Sequence, residues 1–103
     1  MNSAADIPGE HAQIFWNVDE AKLDLDRDAA FIITRILSQG AIAQTDWLRA
    51  RYGDRKIRAV LRAPRGAREL SVRDVAYWAL ILGLPKAWAE HQIDEKLASP
   101  WGR

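Results

Sequence analysis

Between Arg49 and Arg73 the chain carries nine basic residues against two acidic ones, and eight of the nine are arginine. Arg49, Arg51, Arg55, Arg58, Arg62, Arg65, Arg68 and Arg73 are therefore the candidate binding residues. An arginine fork makes paired hydrogen bonds to phosphate or carboxylate and tolerates partial desolvation, which the point charge of lysine does less well. Arg55, Arg58 and Arg62 fall at i, i+3 and i+7, on one side of a helix, so they are expected to project together into solvent. Such a row can track a nucleic-acid backbone. It can also meet an acidic protein surface, such as the carboxylate-rich site of a partner. A third outcome is a solvated face paired with acids of the same chain. Residue type alone leaves all three open.

The other constellations point to caps and surfaces rather than to catalysis. Asp24, Asp26 and Asp28 alternate like the opening of a calcium loop, but Ala29 stands where glycine is needed and Arg35 where a bidentate glutamate belongs. Asp24 and Asp26 also imitate the paired carboxylates of metal-dependent nucleotidyl transfer. No glycine-rich, hydroxyl-bearing turn precedes them to hold phosphates. Acids at a helix start explain the group more simply. His11 and His91 are not spaced as metal ligands, and Ser38, Ser71 and Ser99 lack the setting of a nucleophile. There is no cysteine, which removes disulfides, thiolate metal sites and a thiol nucleophile. The expectation is a non-enzymatic binding protein without metal or cofactor.

These residues need helices to position them. Ala29, Ile32, Ile33, Ile36 and Leu37 recur at helical spacing, predicting a helix over about Asp26–Ser38, with Gly40 as a left-handed stop. A short second helix is expected from Thr45, as N-cap, to Tyr52, burying Leu48 and Tyr52 with Trp47 beside them and ending at Gly53. Asp54 then caps a third helix reaching about Ala63, before Pro64, with Ile57, Val60 and Leu61 inward. Pro64–Glu69 is expected as a basic loop. Ser71 and Asp74 have capping-box spacing ahead of a helix over Val72–Leu82. That helix is apolar nearly all round and is expected at the centre of the core. Trp78 on it should be buried, and its truncation to alanine should cost ~3–5 kcal/mol. Gly83 ends this helix, and Pro85 opens a last one to about Ala98, with Ala89, Ile93 and Leu97 on one face. No segment alternates like a strand. The fold class expected is all-α, a small orthogonal bundle of four to five helices with an extended or turned aromatic segment at Ile14–Val18.

A length of 103 residues suits a single domain. Residues 14–98 are expected to form it, between a polar, mobile N-terminal tail at 1–13 and a short tail at 99–103. The start of the chain has neither the basic nor the apolar region of a secretory signal. The longest apolar run, Val75 to Leu82, is far below the ~20 residues that span a bilayer. A cytoplasmic protein without membrane contact is the expectation. The near-zero net charge of +1 conceals segregation. Met1–Asp28 holds seven acids and two bases, while the segment from Arg49 to Arg73 is net +7. That separation suggests a charged surface, internal docking of acid on base, or both.

Phe15-Trp16-Asn17-Val18-Asp19, Lys22-Leu23-Asp24, Arg27-Asp28 and Phe31-Ile32-Ile33 with Arg35-Ile36-Leu37 resemble the opening of a family of small uncharacterised bacterial proteins. The likeness continues through Gly40, Trp47-Leu48, Tyr52-Gly53, Ile57 and Val60-Leu61. It ends in Arg68, Leu70-Ser71, Trp78-Ala79-Leu80-Ile81-Leu82 and Leu84-Pro85, covering about residues 14–85. Genes of that family often lie beside nucleotidyltransferase-like toxins of the abortive-infection kind. The resemblance therefore implies an antitoxin or accessory role, with a cognate toxin protein as partner. Its motifs are aromatic, aliphatic and turn residues, so they carry over a fold and no site residue. The arginine-rich Ala63–Arg68 and the helix after Pro85 depart from the family pattern.

Three functions follow as expectations: neutralisation of a toxin by direct binding, DNA binding as a helix-turn-helix-like regulator of its own operon, and a structural subunit completing a complex through a tryptophan-rich face. Against the second, helix three offers no Asn, Gln or Ser beside its arginines to read base edges.

Overall fold

The computed structural model describes residues 6–9, 14–16 and 18–98. In it the aliphatic repeat that opens at Ala29 winds into α1 (Ala29–Gln39). Four more helices follow: α2 (Ile42–Tyr52), α3 (Asp54–Arg62), α4 (Val72–Leu82) and α5 (Lys86–Ala98). A 3-10 turn, Glu20–Lys22, precedes them, and the described residues contain no strand. The molecule is a small all-helical bundle. No helix among the described residues is long and apolar enough to cross a membrane.

The centre of the bundle is α1, and not α4 as the density of apolar residues suggests. Ile32, Ile33 and Ile36 have no solvent exposure, and α1 touches α2, α3 and α4. Two of its polar residues, Thr34 and Arg35, are enclosed as well. Thr34 donates to the Ala30 carbonyl at 3.0 Å, within its own helix. Arg35 donates to Glu69 Oε1 and to the Ile14 carbonyl, both at 2.9 Å. A buried polar group is tolerated once its hydrogen bonds are made, so α1 is enclosed nearly all round despite a sequence that reads as one stripe. Leu48, Ile57, Leu61 and Val75 close on it from the other helices. Trp78 is buried as expected, and its indole N–H donates to the Leu37 carbonyl at 3.0 Å.

Three helix boundaries differ from the sequence pattern, each for a local reason. α2 begins at Ile42 rather than after Thr45, because the buried Gln44 side chain accepts from the Ala41 amide at 2.8 Å and caps the helix early. Thr45 lies inside the helix and donates to the Ile42 carbonyl. Asp54 is the first residue of α3, and Gly53 alone, at φ 83°, serves as both the end of α2 and the cap of α3. Gly40 is extended rather than left-handed; a side chain there would meet the Ile36 carbonyl at 2.7 Å, so close approach, not positive φ, calls for glycine.

The N-terminal residues pack more tightly than a tail. Ile7 is buried, and the Pro8 carbonyl accepts from Gln44 Nε2 at 3.2 Å. Ile14-Phe15-Trp16 forms a turn, closed by the Val18 amide on the Phe15 carbonyl. Phe15 is buried beside Phe31, ring centroids 6.1 Å apart, whereas Trp16 stays outside. The rest of segment 1–13, with His11, as well as Asn17 and the segment 99–103 with Ser99, lies outside the described residues.

Candidate functional site

α4 is built for a fixed register. Ser71 Oγ accepts from the Asp74 amide and Asp74 Oδ2 from the Ser71 amide, both at 3.1 Å, completing the box anticipated from their spacing. Within that register the helix carries two apolar stripes. Val75, Trp78, Ala79 and Leu82 face the core. Ala76, Tyr77, Leu80 and Ile81 face outward behind Arg73, at spacings 0, 3, 4, 7 and 8 counted from Arg73. Tyr77 is 54 % exposed, Leu80 82 % and Ile81 39 %. A helix apolar on both sides is ordinarily enclosed on both. Here the second side has no cover among the described residues, and its exposed apolar side chains lie together. α5 packs against α4 but buries no residue fully; Ala89 and Ile93 are half-buried and Leu97 is exposed.

The eight candidate arginines divide into two groups. Arg49 forks onto Asp54 with two bonds of 2.8 Å. That bond holds the Asp54 carboxyl below its usual range and raises the guanidinium. Arg51 reaches Asp26 at 3.3 Å and lies over the Tyr52 ring, the one described ion pair joining the acidic N-terminal segment to the basic one. Arg58 corrects the expectation of three arginines projecting together. It is half-buried, and its Nη1 donates at 3.0 Å to the Leu82 carbonyl. The exposed end of α4 needs such a donor for its orphan carbonyls. Arg55, Arg62, Arg65, Arg68 and Arg73 remain exposed, without an ion-pair partner among the described residues. Internal pairing thus employs three of the eight.

The aspartate cluster is spent locally. Asp24 Oδ1 accepts from the amides of Arg27 and Asp26 at 2.8 and 2.9 Å, and these bonds lower its pKa. Asp28 accepts from Arg27, which lowers its pKa in turn, and from the Asp24 amide. These carboxylates brace the turn before α1 rather than cap its first amides. His91 is exposed beside Glu95 at 3.6 Å.

The outward stripe of α4 escaped the sequence pattern because both stripes together look like one continuous apolar helix. Its signal was present in the spacing of residues 73, 76, 77, 80 and 81, a second helical stripe interleaved with the buried one at 75, 78, 79 and 82.

The model of a family of unknown function (DUF6922) matches residues 10–61, half of the chain. No curated protein and no solved structure matches the chain.

Proposed function

We propose a function for this chain, which belongs to that family of unknown function, from its own surface: it is an antitoxin-type binding protein that neutralises a cognate toxin by direct contact, without catalysis of its own. The observation that carries this is the outward face of α4, where Tyr77, Leu80 and Ile81 are exposed together on a helix held in register at both ends. A helix face with i, i+3 and i+4 anchors suits the groove of a protein partner. Arg73 at the start of the stripe supplies a charged rim, which acts on association more than on affinity. The resemblance to proteins encoded beside nucleotidyltransferase-like toxins supports a toxin of that kind as the partner.

Coexpression tests this directly. The neighbouring gene product should arrest growth when expressed alone, and this chain should restore growth. Leu80→Glu should lose the rescue while leaving the fold intact, since substitutions at exposed positions usually change stability by only ~0.5 kcal/mol. Full rescue by Leu80→Glu would remove the α4 face from the interaction. A harmless neighbour would remove the antitoxin role.

DNA binding is the second function with a specific observation in its favour, the five exposed arginines without an ion-pair partner among the described residues. Against it, α2 and α3 are joined by Gly53 alone, shorter than the three- or four-residue turn of a helix-turn-helix.

A further inference from the structure

A cleft of about 500 Å³ opens between α1, α3 and the loop that joins α3 to α4. Its lining includes the apolar residues Phe31, Ala59, Val60 and Pro64, of which Phe31 and Val60 are half-buried. Three cations line it, Lys56, Arg65 and Arg68, each exposed and without an ion-pair partner among the described residues. Its one carboxylate, Glu69, is already engaged by Arg35 at 2.9 Å.

The loop that forms one wall is braced from several sides. Gly66 lies so close to α3 that a side chain there would overlap the Val60 carbonyl. Ala67 and Leu70 are buried, and Lys96 reaches over from α5 to donate to the Ala67 carbonyl at 2.9 Å. Burial lowers the Lys96 pKa. Arg65 sits at φ 63°, left-handed without being glycine. Non-glycine residues held there by the surrounding structure concentrate at ligand clamps. The cleft is thus preformed, within the ~300–1,000 Å³ range of binding sites.

We propose that this cleft binds an acidic peptide segment, seating one bulky apolar side chain against Phe31 and Val60 while its flanking carboxylates meet Lys56, Arg65 and Arg68. The lining favours a peptide over a nucleotide. Specific reading of a base calls for a donor or acceptor beside its stacking surface; here Glu69 Oε1 accepts from Arg35 and the Thr34 hydroxyl donates within its own helix. The inference goes beyond the function proposed above. It concerns a different surface and does not require the partner to be a toxin.

The test is a heteronuclear NMR titration of the full chain with a short synthetic peptide in which one Phe is flanked by Asp and Glu. Amide resonances of Phe31, Val60, Gly66 and Arg68 should shift together. Arg65→Glu combined with Arg68→Glu should weaken binding at least about tenfold, which is about 1.4 kcal/mol, with unchanged resonances elsewhere confirming the fold. Replacing the peptide's Phe by Ser should weaken it comparably. The proposal is overturned if the acidic peptide leaves these resonances unmoved. It is equally overturned if a peptide with Lys in place of Asp and Glu binds as well, or if adenosine monophosphate shifts the same amides more strongly than the peptide. Loss of growth rescue by Leu80→Glu reads the α4 face alone, so failure of either proposal is visible separately.

Discussion

Arg35 ties together three stretches of chain that are distant in sequence. Its guanidinium holds the turn at Ile14, the carboxylate of Glu69 before α4, and the ring of Phe31 one helical turn back, 4.6 Å from its centroid. Removal of one partner of a fully buried pair costs ~3–5 kcal/mol. Glu69 is 40 % exposed and can turn to water, so Arg35→Ala should cost less, ~2–3 kcal/mol, in a denaturant-unfolding comparison. Glu69→Gln, which keeps an acceptor, should cost clearly less than that. Equal losses in the two variants would show that the carboxylate, and not the Ile14 carbonyl, carries the clamp. Tyr52 gives a pH-dependent counterpart. Its hydroxyl donates to the Leu25 carbonyl at 2.5 Å, and burial pushes its pKa up from 10.0 to about 12. The unfolded chain therefore releases this proton first. Its contribution is complete below about pH 10 and is lost as pH rises toward about 12. Tyr52→Phe should flatten the decline of stability over that window relative to the wild type; parallel pH profiles would assign the decline to other groups.

At the scale of elements, the loop between α3 and α4 depends on one close approach. A Cβ on Gly66 would overlap the Val60 carbonyl oxygen and lie 2.8 Å from that of Leu61, both backbone atoms that cannot swing aside. Gly66→Ala should therefore displace the loop and cost at least ~2 kcal/mol, among the large single-residue effects that strain produces. Gly83→Ala has open space and only a left-handed backbone to contend with, and should cost ~1–2 kcal/mol. A thermal-melt series of the two variants checks the order. Helix order and the α4 capping box were legible in the sequence because they rest on neighbours within a few residues. The early start of α2 was not, since it depends on Gln44 bridging to both Ala41 and Pro8. The exchange of roles between α1 and α4 was hidden for a related reason. Burial of Arg35 rests on Ile14 and Glu69, both far away in sequence. The arginines were legible as a group, but not their division, because Arg58 finds its acceptor only once α4 ends beside α3.

For the whole molecule the question is whether charge or apolar area carries recognition, and two sets of variants separate them. Arg55→Glu with Arg62→Glu reverses two exposed charges on α3 and leaves the Arg58 contact to α4 untouched. Tyr77→Ser with Leu80→Ser removes the apolar centre of the α4 face and changes no charge. Neither pair should disturb the fold, since exposed charges contribute little to stability and the α4 side chains lie outside the core. If the chain neutralises a protein partner, the serine pair should abolish binding measured by calorimetry. The glutamate pair should then mainly slow association, and the wild-type affinity should fall only modestly with salt. If the chain works on DNA, the order reverses. The glutamate pair should abolish binding, the serine pair should be silent, and the log–log salt slope should approach −0.9 per neutralised phosphate. The exposed Tyr77–Leu80–Ile81 surface makes the first pattern the expected one. A steep salt slope with a silent serine pair would overturn the protein-binding proposal and transfer the function to the five exposed arginines.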